Sequence, residues 1–173
     1  MEALKTSLVN TPRSLSKQAR RKQLIEATIK CIADKGLSGT TMADVTQQAG
    51  LSLGIVNLHF QSKEKLLIET MRYISNEYTN GLTKIFNDQS LNTEQKILAH
   101  INFDFSRKIT DRNKLAVWFA FWGETKSRPT YFSICASYIN EIANNLTELF
   151  VLLKQQGGYK QVNPELVCTC YTA

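Results

Sequence analysis

Apolar residues return at steps of three and four along most of this chain, and that spacing limits its fold more than any other feature. Leu24, Ile25, Thr28, Ile29 and Ile32 make one stripe between Lys17 and Lys35. Leu66, Leu67, Thr70, Met71, Ile74 and Tyr78 make another after Ser62. Steps of this size line one side of a helix, whereas a half-buried strand alternates at every second residue. With 3 Pro and 8 Gly in 173 residues, the chain also lacks the turn residues that a sandwich or barrel needs. An all-α fold is predicted, and 43% hydrophobic residues suffice for a sizeable core.

The sparse punctuation sets the helix limits. Gly36 suits the left-handed position that ends the first helix, and Thr41 with Asp44 makes a capping-box-like start for a short second helix bearing Met42, Val45 and Ala49. Gly50 permits a tight turn, Leu51 is expected to be buried, and Ser52 is placed to cap a third helix reaching about Phe60. Ser62 caps a longer helix that Gly81 is expected to weaken. Further helices are predicted from Asn92 to about Arg107, from Asp111 to about Thr125, from Pro129 to Gln156 before the Gly157-Gly158 stop, and from Pro164 onward. Residues 1–16 read as a flexible basic arm, 17–61 as a small head and 62–173 as a larger helical body.

The net charge of +6 is unevenly spread. Up to Arg72, eleven Lys and Arg face six Asp and Glu, giving +5; beyond it ten face nine, giving +1. Arg13, Lys17, Arg20, Arg21 and Lys22 form a run without an acid, which suits a polyanion and equally a solvated helix face. Cys31, Cys135, Cys168 and Cys170 match no common zinc spacing, and His59 and His100 are the only histidines, so neither a metal site nor a cofactor is expected. No nucleophile elbow or phosphate loop occurs, which speaks against an enzyme. The lack of a membrane-length apolar run and of a secretory block in Met1 to Ser16 predicts a soluble, cytoplasmic protein with no membrane partner.

Two short helices joined by a four-residue turn containing Gly, after a longer helix, describe a helix-turn-helix unit whose second helix enters the major groove. Leu53, Gly54, Ile55, Asn57 and Leu58 are its candidate base-facing residues. The Asn57 amide suits adenine, Leu53 and Ile55 suit thymine methyls, and Gly54 lets backbone approach DNA closely; Ile55 and Leu58 read equally well as core. His59 either gives a ring N–H to phosphate or fills an interface. Thr41 and Lys63 stand at helix starts, where phosphates are held or simple caps suffice. Lys17, Arg20, Arg21, Met42 and Ser52 complete the predicted DNA-facing set.

Ile25-Glu26-Ala27, Gly36, Thr41-Met42-Ala43-Asp44-Val45, Ala49-Gly50-Leu51-Ser52-Leu53-Gly54 and His59-Phe60, with Lys63 and Leu66-Leu67, resemble the amino-terminal domain of TetR-family transcriptional regulators over residues 18–67. Ala116-Val117-Trp118-Phe119-Ala120-Phe121-Trp122, with Asn102-Phe103-Asp104, is similar to the choline-responsive BetI branch, repressors of glycine-betaine synthesis genes. The resemblance implies a three-helix DNA-binding head and a ligand-binding, dimer-forming body. It further implies a homodimer on double-stranded palindromic operator DNA, and repression released by choline. The alternative effector is another cationic or hydrophobic small molecule, such as a drug. Family members run longer, so the chain is expected to be incomplete at its carboxy end. Asn57 departs from the pattern, standing where many members carry an aromatic residue.

Trp118 and Trp122 lie four apart, on one helical face adjoined by Phe119. Such indoles are ordinarily core, yet their faces also suit a quaternary ammonium. Phe103 joins this candidate ligand set; Asp104 or Glu124 is expected to add the compensating charge and Tyr131 or Tyr138 a hydroxyl.

Overall fold

A computed structural model describes residues 12–172. Most of the expected basic arm, 1–11, lies outside the described residues. Eight helices make up the described part, in the order α1 (Pro12–Gly39), α2 (Met42–Ala49), α3 (Leu53–Phe60), α4 (Lys63–Phe86), α5 (Thr93–Asp104), α6 (Arg112–Glu124), α7 (Pro129–Gly157) and α8 (Pro164–Thr172). No strand occurs among the described residues. Helix α1 begins at Pro12 and so takes in the last residues of the expected arm, as Pro is compatible with a helix's first turn.

Gly36 interrupts α1 as the sequence predicts, but with φ 72° and ψ 174° it leaves the helix for an extended left-handed region essentially reserved for glycine. The chain then turns through 37–41 into α2. Thr41 and Asp44 form a complete capping box: the Thr41 hydroxyl accepts from the Asp44 amide at 3.1 Å, and the Asp44 carboxylate accepts from the Thr41 amide at 2.9 Å. Gly50 closes α2 in the αL conformation at φ 64° and ψ 35°. Ser62 caps α4 through the Lys65 amide, and Asn92 caps α5 through Gln95. Pro129 opens α7, and Gly158 in αL ends it.

Four sequence expectations give way to packing. Ser52 sits at the N-cap of α3 but its side chain makes no cap hydrogen bond. Leu51 is only half-buried, resting against the core. Gly81 does not weaken α4, which continues to Phe86; it makes room for the ring of Phe103, whose Cζ would stand 2.1 Å from any added Cβ. Helix α5 also stops at Asp104 rather than near Arg107, its end turned by amide bonds from Phe105 and Ser106 to the Phe103 carbonyl.

The head is α1 to α3, closed over Leu24, Ile32, Val45, Val56 and Phe60, all essentially without solvent contact. Burying each such side chain contributes about 1.5–3 kcal/mol. Helices α4 and α6 both pack on α1, so the core runs without a break from the head into the body through Leu66, Met71, Val117 and Phe121. There Phe121 packs against Tyr131 with ring centroids 4.6 Å apart. Helices α7 and α8 close the far side around Leu146 and Cys168.

Asp44 links the capping box to α1, because its carboxylate also accepts from Lys35 Nζ at 2.6 Å. The Lys35 hydrogen bond, with those of the Thr41 hydroxyl and amide, holds the Asp44 carboxyl down at about 2, below its usual range. The contribution of a carboxylate depressed in the folded state is complete above its unfolded pKa and disappears as pH falls through the folded one. The difference in urea midpoint between the protein and Asp44→Asn is therefore expected to be constant near neutrality. It should shrink as pH falls from about 4 to about 2, which denaturation followed by circular dichroism will measure.

Candidate nucleic-acid interface and effector cavity

Helix α3 is held by one side and presents the other. Val56 and Phe60 point into the head with at most 2% exposure, and Ile55 packs half-buried on the same core. Leu53 is 49% exposed and Leu58 73%, and Ser52, Gly54 and Asn57 are exposed beside them. An all-apolar exposed pair on an eight-residue helix is not explained by the chain's own packing. Of the two readings the sequence leaves open, Ile55 belongs with the core and Leu58 with the surface. A Cβ at Gly54 would meet only Ser52 Oγ, at 3.9 Å, so the fold itself does not require glycine there.

The flanking cations divide into free and committed ones. Lys17 and Arg20 are exposed, Arg20 donating to Gln23 at 2.8 Å. Arg21 turns inward: Nη1 donates to the His59 carbonyl at 2.9 Å, Nη2 pairs with Glu69 at 3.1 Å, and the guanidinium lies 4.5 Å from the Phe60 ring centroid. It fastens α1 to the end of α3 and to α4, so a phosphate would have to compete with three contacts. Lys63 donates to the Ser38 carbonyl at 3.1 Å, bracing the last residues of α1 beyond Gly36 while two ammonium hydrogens remain. Thr41 is exposed, but its hydroxyl already serves Asp44, donating to Oδ2 at 2.7 Å; Met42 is partly buried against the core.

His59 is half-buried, and its Nδ1 is buried without a hydrogen-bond partner. Burial, with the nearby charges of Arg21 and Lys17, pushes its pKa below the usual histidine value. Nδ1 is turned into the protein rather than toward solvent.

In the body, the residues of the sequence-based ligand set separate. Trp118 packs half-buried against the core, while Phe119 at 74% and Trp122 at 45% exposure face outward. Glu124 accepts from Arg128 Nε at 3.1 Å, and the Tyr138 hydroxyl donates to Asn76 at 3.0 Å. Asp104 instead lines a cavity of about 170 Å3 with Tyr78, His100, Ile139, Leu146 and Tyr171. Phe103 braces it from outside, its ring 5.6 Å from that of Tyr78. The sequence reading missed Tyr78, His100 and Tyr171 as cavity residues. The i, i+4 spacing of His100 and Asp104 was a usable signal for part of it.

A second group joins head and body. Glu64, in the first turn of α4 just after α3, accepts from the Tyr131 hydroxyl at 3.0 Å and from Arg128 Nη1 at 3.4 Å. Tyr131 is buried, and burial together with Glu64 pushes its phenol up to about 12, so it stays a hydrogen-bond donor.

Residues 24–70 match bacterial regulatory proteins of the tetR family. The HTH-type transcriptional regulator BetI of Paraburkholderia phymatum is 32% identical over 145 residues, covering 76% of this chain and 73% of that protein. The chain belongs to the tetR family of bacterial regulatory proteins. BetI of Paraburkholderia xenovorans is 33% identical over 118 residues, which is 68% of this chain, and the chain spans 60% of that relative's length. Among solved structures, a transcriptional regulator from Pseudomonas aeruginosa superposes with a TM-score of 0.78 at 24% identity, covering 88% of this chain and 74% of the other. A regulator from Saccharomonospora viridis, solved in complex with choline, superposes with a TM-score of 0.76 at 16% identity over 88% of this chain and 79% of the other. This tetR-family chain thus carries a helix-turn-helix in α2 and α3, and no described helix is long and apolar enough to cross a membrane.

Because Arg21 is bonded within the fold, Arg21→Ala is expected to lower stability by about 1 kcal/mol, after discounting its solvent-screened ion pair. Arg20→Ala should stay within about 0.5 kcal/mol of the parent, as surface changes do. Urea unfolding of the two variants checks the contrast.

Proposed function

We propose that this protein is a ligand-responsive transcriptional repressor that binds a palindromic operator as a homodimer and releases it when choline occupies the helical body. The observation that carries the DNA-binding reading is the outward side of α3, with Leu53, Gly54, Asn57 and Leu58 exposed above a buried Val56 and Phe60. That side offers an amide for adenine, apolar contacts for thymine methyls and a glycine for close approach. The free ammonium hydrogens of Lys63, with Lys17 and Arg20, supply phosphate contacts. In a dimer the two α3 helices would meet successive major grooves about 34–36 Å apart.

The BetI relatives and the choline complex of the Saccharomonospora viridis neighbour support choline as effector and glycine-betaine synthesis genes as targets. An effector shifts DNA affinity only if it favours one arrangement of the heads over another. Glu64, held by Arg128 and Tyr131, ties the start of α4 to the turn between α6 and α7, and so gives such a difference a route.

Fluorescence anisotropy with duplexes selected from a randomised pool tests the reading. Binding is expected to weaken steeply with salt and to prefer a palindrome. Asn57→Ala should lose about 1–3 kcal/mol of discrimination at one position of each half-site, while Lys63→Ala weakens all duplexes alike and lowers the salt slope by about one. Binding indifferent to sequence and salt overturns the repressor reading; a complex that persists in saturating choline overturns the effector.

A further inference from the structure

Where α1 of the head packs beside α6, a groove of about 360 Å3 opens between α1 and the turn that joins α5 to α6. Its lining carries four cations, Lys30, Arg107, Lys108 and Lys114, against two acids, Glu26 and Asp111. None of these residues belongs to the DNA-facing set or to the cavity around Asp104.

The acids of the groove are already committed. Asp111 caps α6, its Oδ1 accepting from the Asn113 amide at 3.1 Å and the Lys114 amide at 3.0 Å. Glu26 pairs with Lys22, one turn earlier on α1, at 3.7 Å. Two of the cations are committed as well, because Lys108, at 3.4 Å, and Lys114 both turn to Glu77 of α4. Lys30 and Arg107 differ from them. Both are exposed, and among the described residues no carboxylate pairs with either. Lys30 stands on α1 of the head and Arg107 in the turn after α5 of the body, so each wall of the groove brings one unpaired cation.

Two like charges that share a space repel, and a dianion placed between them replaces that repulsion with two attractions. Arginine offers a planar fork that matches phosphate oxygens, and lysine a point charge. Asn113 adds an amide to the lining and Ile29 an apolar surface. The carboxylate of Glu26 weakens the attraction without cancelling it, since Lys22 stands against it. The volume falls within the roughly 300–1,000 Å3 of small-molecule sites, which leaves room for an organic group beside a phosphate.

We infer that the groove between α1 and the α5–α6 turn binds a small phosphate monoester, held by Lys30 from the head and Arg107 from the body. The inference does not depend on choline as effector, because the groove and the Asp104 cavity share no residue. A ligand so placed adds a tie between head and body beside the one that Glu64 makes.

Calorimetric titration of the full chain at constant ionic strength with glycerol 3-phosphate, inorganic phosphate and uncharged glycerol tests the site. Glycerol 3-phosphate is expected to fill one site per chain with a Kd of about 1 mM or tighter, inorganic phosphate to bind more weakly, and glycerol to give no saturable heat. Lys30→Ala and Arg107→Ala should each raise the glycerol 3-phosphate Kd by about tenfold, and Arg107→Lys, which keeps the charge but loses the fork, by less. Glu26→Gln, which removes a repelling charge, should lower it by about threefold. Lys126→Ala removes an exposed cation beyond the opposite end of α6 and should leave it within about twofold. The replaced residues are exposed, and circular dichroism verifies that each variant folds. A glycerol 3-phosphate titration without saturable heat overturns the assignment, and so does a Kd that survives both Lys30→Ala and Arg107→Ala. A Kd raised as much by Lys126→Ala overturns it by showing attraction to net charge alone. A Kd raised by Lys63→Ala in place of the groove variants puts the phosphate beside α3 and overturns it too.

Discussion

Val56 and Phe60 hold α3 by one edge, and the rest of the head is arranged to let them do so. With 8 residues the helix is too short to persist on its own, so its conformation depends on those two buried side chains and on what closes over them. Arg21 covers Phe60 with its guanidinium and ties the last turn to α1 and α4. Gly50 and the Thr41–Asp44 box fix how α2 enters and leaves, which sets the angle at which α3 departs. The exposed face is thus a product of anchoring from behind, and its apolar members can remain in solvent because the opposite face is so fully buried.

The second organising element is α4. It starts two residues beyond the end of α3, after Gln61 and Ser62, contributes Leu66, Leu67 and Met71 to the common core, and then supplies Tyr78 and Gly81 to the body. Glu64 at one end accepts from Arg128 of the α6–α7 turn and from Tyr131 of α7, while Tyr78 farther along donates to Asp104 of α5. One helix therefore touches the proposed reading head, the turn that braces it and the proposed effector cavity.

Much of the head was legible in the chain because its signals are local. Capping at Thr41, the glycine turns at 36 and 50, and the apolar stripe of α1 depend on neighbours a few residues apart, as do the caps Ser62 and Asn92 in the body. The outward side of α3 was legible in part: the stretch carries Leu and Ile at every face, and only packing showed that Ile55 turns in while Leu58 turns out. The commitment of Arg21 could not be read, since His59 and Glu69 lie 38 and 48 residues away. The ligand-binding side was the least legible. Trp118 and Trp122 share a spacing but not a cavity, and the cavity that forms draws Tyr78, His100, Asp104 and Tyr171 from three separate helices. Gly81 shows the same limit, a residue that propensity marks as a weakness and that serves as a seat for an aromatic ring.

The length of α4 has a mechanical outcome. Fifteen residues separate Lys63 from Tyr78, which at 1.5 Å each amounts to roughly 22 Å of stiff rod. Pivoting that rod by five degrees at its Tyr78 end sweeps the Lys63 end through roughly 2 Å, an amplification obtained from geometry alone. Displacements too slight to disturb the packing around Tyr78 would thereby become large on the scale of a hydrogen bond where α4 meets α3.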